Sequence, residues 1–267
     1  MADSAHGTAN HEYHMVKPSP WPVIGALGGG GLGLGGVVIF MHTGQLWLMT
    51  IGGIVVILTM YFWWRDVIRE ALVENEHTQV VQRGLRFGMV LFIASEVMFF
   101  AAFFWAFFNA AIMPPDVIEN TWPPPGVETI PAWRLPFVNT LLLLTSGATV
   151  TWAHHALRHG NQQQLVYGLA LTVALGVAFI GVQGYEYAHA AFGFRDGIYP
   201  STFFMATGFH GFHVTVGAIF LAVCLYRALK RQFKPDQHIG LEAAAWYWHF
   251  VDVVWLFLFI WVYWWAG

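Results

Sequence analysis

The chain has 267 residues, of which 57% are hydrophobic, 17% aromatic and 10% charged. Soluble domains carry about a quarter charged residues, so this composition excludes an ordinary water-soluble protein and predicts one embedded in a bilayer. A formal net charge of −3 argues against a nucleic-acid partner, and a single cysteine, Cys224, excludes an internal disulfide or a multi-cysteine metal centre.

Residues 1–20 are polar and lack a basic start followed by a short apolar core, so no cleaved signal peptide is expected there. Apolar runs long enough to cross about 30 Å of hydrocarbon follow at roughly 21–41, 46–64, 87–113, 137–154, 165–185, 201–226 and 243–265. The expected fold is an all-α membrane protein with seven transmembrane helices. Within the first run, Gly28 to Gly36 superficially resembles a phosphate loop, but the strand that such a loop needs is missing. The glycines are read as a surface for close helix packing. Residues 65–86 are rich in charges and helix formers and mark a boundary between a two-helix unit (21–64) and a five-helix bundle (87–267). The connection from Pro114 to Pro136 contains Pro123-Pro124-Pro125-Gly126 and is expected to form an extended cap. Trp122, Trp133, Trp264 and Trp265 are assigned to an interfacial aromatic belt.

With the N-terminus inside, ten of the twelve basic residues fall on the inner side, and only Arg134 and Arg195 fall outside. This bias predicts an inner N-terminus and an outer C-terminus. Residues 1–20 and 65–86 are then cytoplasmic.

Several polar residues stand in otherwise apolar runs. Glu96 lies about nine residues inside the third run, roughly 13 Å along a helix, where a carboxyl group is costly. Its helix neighbours three and four positions away are Phe92, Ile93, Phe99 and Phe100, so a partner must come from another span. One reading is a functional carboxyl group; the other is a neutral, hydrogen-bonded one that joins two helices. His210 and His213, three apart on one face, have a spacing that permits metal ligation, but the stronger reading is of packing groups, one of which meets Glu96. His249 and Asp252 share a face of the last run and carry the packing reading too. His154 and His155 point apart at the inner membrane edge. At the end of the second run, Trp63-Trp64-Arg65-Asp66-Val67-Ile68-Arg69-Glu70, with His77 beyond, reads either as an aromatic and cationic shelf suited to a lipid phosphate or as an ordinary anchor that ends the helix. No catalytic triad, phosphate loop, cysteine-rich motif or zincin helix is present, so no catalytic or metal residue is assigned.

Long stretches of the chain resemble cytochrome c oxidase subunit III. They include His11-Glu-Tyr-His-Met-Val-Lys-Pro-Ser-Pro-Trp21, Trp63 to Glu70, Gly84-Leu-Arg-Phe-Gly-Met89, Leu91-Phe-Ile-Ala-Ser-Glu96 and Phe103-Phe-Trp-Ala-Phe107. Further matches are Thr151-Trp-Ala-His-His155, Ser201 to Val214 and Ala243 to Phe257. The glycine run of the first span departs from the family pattern.

The resemblance implies two helices splayed from five around a lipid-filled V-shaped cleft, with haems and copper carried by partner subunits I and II. By similarity, Trp64, Glu70, His77 and Arg227 surround bound phospholipid, and Glu96 is the buried intramembrane carboxylate. The implied function is that of an accessory, non-redox subunit of a proton-pumping oxidase, which stabilises subunit I, holds phospholipids and supports proton uptake. Cytochrome c is met only indirectly, and no cofactor sits on this chain. Asp66, His154, His155 and His159 are the candidate inner-surface proton-exchange groups. A bacterial cytoplasmic membrane is expected in preference to a mitochondrial inner membrane. The alternative is a proton-coupled secondary transporter using Glu96, against which the absence of a sequence repeat counts.

Overall fold

The computed structural model describes residues 13–14, 16–40, 46–74 and 76–266. Most of the expected N-terminal tail (residues 1–12 and 15) and residue 41 of the first run lie outside the described residues. The helices are α1 (Trp21–Phe40), α2 (Trp47–Arg69), α3 (Gln79–Ile112), α4 (Leu135–Arg158), α5 (Gln162–Ala188), α6 (Ile198–Leu229) and α7 (Ile239–Leu258). π-Helical segments, Glu70–Glu74 and Phe259–Trp265, extend α2 and α7. Seven helices are long and apolar enough to cross a membrane, and no strand occurs among the described residues.

Most helices outrun the apolar segment that announces them. α3 begins at Gln79, before the run at 87, and α2 continues through Arg65 and Arg69. Apolar length reports only the hydrocarbon-facing part; Arg, Glu and Gln are good helix formers and continue the helix where their charges are solvated. Within the connecting segment expected at 65–86, residues 65–69 continue α2, residues 70–74 its π-helical extension, and residues 79–86 begin α3.

The chain divides into two compact units between Leu85 and Arg86. In the first, α1 and α2 pack backbone to backbone. A methyl group built on Gly35 would overlap the Met49 backbone, one on Gly52 would overlap Leu32 and Gly31, and one on Gly28 would lie 2.8 Å from Val55 Cγ1. Gly28, Gly31 and Gly35 thus form the contact stripe, whereas Gly29, Gly30, Gly33 and Gly36 face open space. The Trp21 ring stacks on Phe62 at 5.6 Å, and its Nε1–H donates to Asp66 Oδ2 at 2.8 Å.

In the second unit, α5 packs against α4 and α6, and α7 packs against α6 and α4. Trp248 and Trp255 are fully buried at the centre. Their indole N–H groups donate to Ser146 Oγ at 2.8 Å and Thr140 Oγ1 at 2.9 Å, which matters because a buried unpaired donor costs about 1–3 kcal/mol. Gly176 and Gly217 make room for the Trp248 ring. α3 joins through aromatic contacts, including Phe103 with Phe209 at 4.8 Å and Phe104 with Phe257 at 4.4 Å. Trp122, expected in the interfacial belt, instead packs inward on Phe107 and Tyr199, each at 5.4 Å, because the connection after α3 folds back over the bundle. Trp133 and Trp264 remain exposed and pair at 5.7 Å.

Candidate functional site

The partner that Glu96 requires is His213: Glu96 Oε2 lies 2.9 Å from His213 Nε2, and Ser95 Oγ stands 3.4 Å from Oε1. The other imidazole nitrogen, Nδ1, lies 2.6 Å from the Phe209 carbonyl oxygen. A carbonyl only accepts, so Nδ1 carries a hydrogen and the Nε2–Oε2 link holds one proton between two acceptor atoms. His210, the other candidate, faces away and donates from Nε2 to Val251 O at 3.1 Å.

His249 Nε2 stands 3.1 Å from Thr151 Oγ1, whose hydroxyl donates to Gly147 O at 2.9 Å. The hydroxyl therefore accepts from His249, which puts the ring hydrogen on Nε2 and leaves Nδ1 as an acceptor in the neutral ring. A methyl group on Gly147 would lie 2.6 Å from Asp252 Oδ2 and 3.6 Å from His249 Nδ1, so both groups crowd this bare position. Asp252 is only 8% exposed, and its Oδ1 is sealed without a hydrogen-bond partner. Hydrogen bonds thus engage His213, His249 and the Nε2 of His210, whereas His210 Nδ1 and Asp252 Oδ1 have no partner among the described residues.

At the end of α4, the His154 ring is half-buried 5.2 Å from the ring of His238, and its Nε2 has no partner. His155 is exposed, 4.2 Å from the His159 ring, and His159 Nδ1 donates to His155 O at 3.0 Å. Arg86 pairs with Glu242 at 3.0 Å. Asp66 belongs to the first unit, where Trp21 and Arg65 engage its two oxygens.

Of the residues assigned to lipid, Trp64, Glu70 and His77 belong to the first unit and Arg227 to the second. Trp64 is exposed; Glu70 opens the π-helical turn after α2. Arg227 Nε donates to Gln232 Oε1 at 3.3 Å, its guanidinium lies 4.5 Å over the Phe233 ring, and Gly240 leaves space for Nη1. No carboxylate forms a salt bridge with it among the described residues.

Sequence reasoning passed over Glu186, which is 3% exposed and accepts a hydrogen bond from Tyr263 Oη at 2.7 Å. Its signal was a carboxyl group between Tyr185 and Tyr187 at the close of an apolar run. Nothing local pointed to His238 as the neighbour of His154. Among the described residues, no three His, Cys, Asp or Glu side chains converge to hold a metal ion.

Residues 11–267 match the family described as Cytochrome c oxidase subunit III. The chain is 54% identical over 259 residues to Cytochrome c oxidase subunit 3 of Arabidopsis thaliana, covering 96% of this chain and 97% of that protein. It is 55% identical over 268 residues to the protein of the same name from Pylaiella littoralis, covering 100% and 98%. For Marchantia polymorpha the identity is 56% over 259 residues, covering 96% and 97%. These relatives come from plants and an alga and lend no support to the bacterial membrane expected above. With the match extending over nearly the whole chain, this multi-pass membrane protein belongs to the cytochrome c oxidase subunit III family and is part of a respiratory, proton-translocating oxidoreductase complex.

Proposed function

We propose that the chain is the accessory, non-redox subunit of its oxidase. Electron transfer from cytochrome c to dioxygen then runs through haems and copper on subunits I and II. The observation that carries this reading is the use of the intramembrane histidines: both ring nitrogens of His213 are engaged by Phe209 O and Glu96, and His210 Nε2 by Val251 O. Three of the four ring nitrogens in the pair whose spacing most suited a metal thus hold helices together, while His210 Nδ1 is buried without a partner among the described residues.

In this role the five-helix bundle braces subunit I. Arg227, with no carboxylate in a salt bridge to it among the described residues and its guanidinium steadied on Phe233, supplies a cation for a phospholipid phosphate. Trp64, Glu70 and His77 are proposed to contact lipid on the first unit. The bias of the basic residues supports an inner N-terminus, and in that orientation His154, His155 and His159 are proposed to lie on the proton-uptake side, where imidazoles exchange protons near neutral pH.

Extraction in mild detergent tests the assignment. The chain is expected to travel with haem absorbance in fixed proportion, and removing it is expected to leave initial turnover intact but shorten its duration. A haem-free chain that is stable alone and moves protons in vesicles would replace this reading with a secondary transporter.

A further inference from the structure

One cation of the second unit stands apart from the others. Arg227, in the last turn of α6, lies beside Gly240 at the start of α7, and His154, near the close of α4, meets the α7 cap His238 at the same end. Arg134 is at the opposite end, immediately before Leu135 opens α4. It is exposed and forms no salt bridge among the described residues. Beside it a ring platform joins α4 to the π-helical end of α7. Trp133 lies 5.7 Å from Trp264, 5.9 Å from Phe259 and 5.5 Å from Phe137. Trp133 and Trp264 are themselves exposed, so the platform is an open surface and not part of the sealed core.

An exposed apolar strip descends from this platform. On α4 it consists of Phe137, Leu141 and Leu144, which follow Arg134 at helical spacing and share one face; Ile260 and Val253 border it on α7. From Arg134 to Leu144 the helix rises about 15 Å, half of a hydrocarbon layer about 30 Å thick. Past Leu144 the seam carries polar groups, with Thr145 exposed and Thr151 bonded to His249 at 3.1 Å. The surface is thus one leaflet deep: a cation at headgroup level, amphipathic rings below it, and an apolar track that stops at mid-membrane. A helix of another protein would cross the whole span, whereas an acyl chain ends halfway.

We propose that this end of the α4–α7 seam is a binding site for an anionic phospholipid, with the phosphate on Arg134, the ester region against Trp133 and Trp264, and an acyl chain along Phe137, Leu141 and Leu144. The planar guanidinium presents paired donors to phosphate oxygens, and indole rings favour the boundary between headgroup and hydrocarbon. The site is separate from the lipid contacts assigned to Arg227 and lies in the other leaflet. A net negative headgroup is selected because Arg134 has no carboxylate in a salt bridge to share its charge among the described residues.

The test uses the intact oxidase complex in mild detergent, with assembly checked by co-purification with haem. Phosphatidylglycerol carrying a photoreactive group on its acyl chain is titrated in, and labelled segments are located by mass spectrometry. Labelling of residues 133–144 and 253–264 is expected to saturate. Arg134→Gln, an exposed change that leaves the packing intact, is expected to raise the half-saturating concentration about ten-fold or more, the effect of losing hydrogen bonds to a charged group. Arg134→Lys is expected to fall between the two. An Arg134→Gln titration that matches the native one, or labelling that rises without saturating, reduces the strip to casual lipid contact and overturns the site. Absence of label on both segments of the native complex means that another subunit covers this face, and overturns it too. Neither turnover nor haem content enters the readout, so failure here is distinct from failure of the accessory-subunit reading.

Discussion

Glu96 and His213, 117 positions apart in sequence, are joined at 2.9 Å through Oε2 and Nε2, and this bond ties the middle of α3 to α6. The imidazole is wedged among aromatic rings, with Phe100 at 4.9 Å and Phe99 at 5.8 Å, and its Nδ1 is anchored on Phe209 O. The pair therefore shares one proton in a site with little freedom to rearrange.

Glu96→Gln keeps a donor for His213 Nε2, so the variant oxidase is expected to turn over and pump normally. Glu96→Ala leaves the buried His213 Nε2 unpaired, at a cost of about 1–3 kcal/mol. It is expected to shorten the half-life of activity on heating. Lost pumping in an assembled glutamine variant would make Glu96 a proton carrier instead.

The glycines of α1 are not equivalent. Gly35→Val and Gly52→Val are expected to force α1 and α2 apart and lower the yield of folded protein in membranes, because their added atoms meet backbone. Gly29→Ala and Gly33→Ala meet nothing within 4 Å and are expected to be tolerated, with about 1 kcal/mol gained per site in helix propensity. Equal yields across both groups would refute the close-packing stripe.

Tyr263→Phe deprives the buried Glu186 of the hydrogen bond donated by Tyr263 Oη and is expected to destabilise the bundle by about 1–3 kcal/mol, with more if the carboxyl group is charged. Adding Glu186→Leu is expected to recover part of that loss, since replacing both partners avoids an unpaired buried group. Denaturation midpoints of the single and double variants measure the coupling.

Arg227→Ala is expected to lower the phospholipid retained through purification, because charge-assisted hydrogen bonds to phosphate are roughly twice as strong as neutral ones. Arg227→Lys, a point charge without the planar fork, is expected to keep part of it. Unchanged phosphorus content in the alanine variant would remove Arg227 from lipid binding.

Membrane-impermeant labels are expected to react with a cysteine placed after Ala266 from the outside, and with one at Lys17 or Lys230 only from the inside. The reverse pattern would invert the orientation on which the uptake-side assignment depends.

The sequence by itself determined the seven spans, because crossing hydrocarbon demands a length of apolar chain and length is a one-dimensional property. It also determined that Glu96 needs a partner from another helix, since only phenylalanines and isoleucine occupy the positions one turn away. The glycine run was legible as a surface for close helix packing, but the structure selected Gly28, Gly31 and Gly35 as the residues that make the contact. The tertiary structure alone chose His213 over His210, which are three residues apart on one helix. That choice rests on how α6 is rotated about its axis against α3 and α7, a product of side-chain packing across helices. The packing of α7 against α4 and α5 likewise paired Tyr263 with Glu186, brought His238 to His154, and left Asp252 Oδ1 without a hydrogen bond among the described residues. Contacts between residues so far apart in sequence depend on the register and azimuth of each helix, and neither is written in the composition or periodicity of a single span.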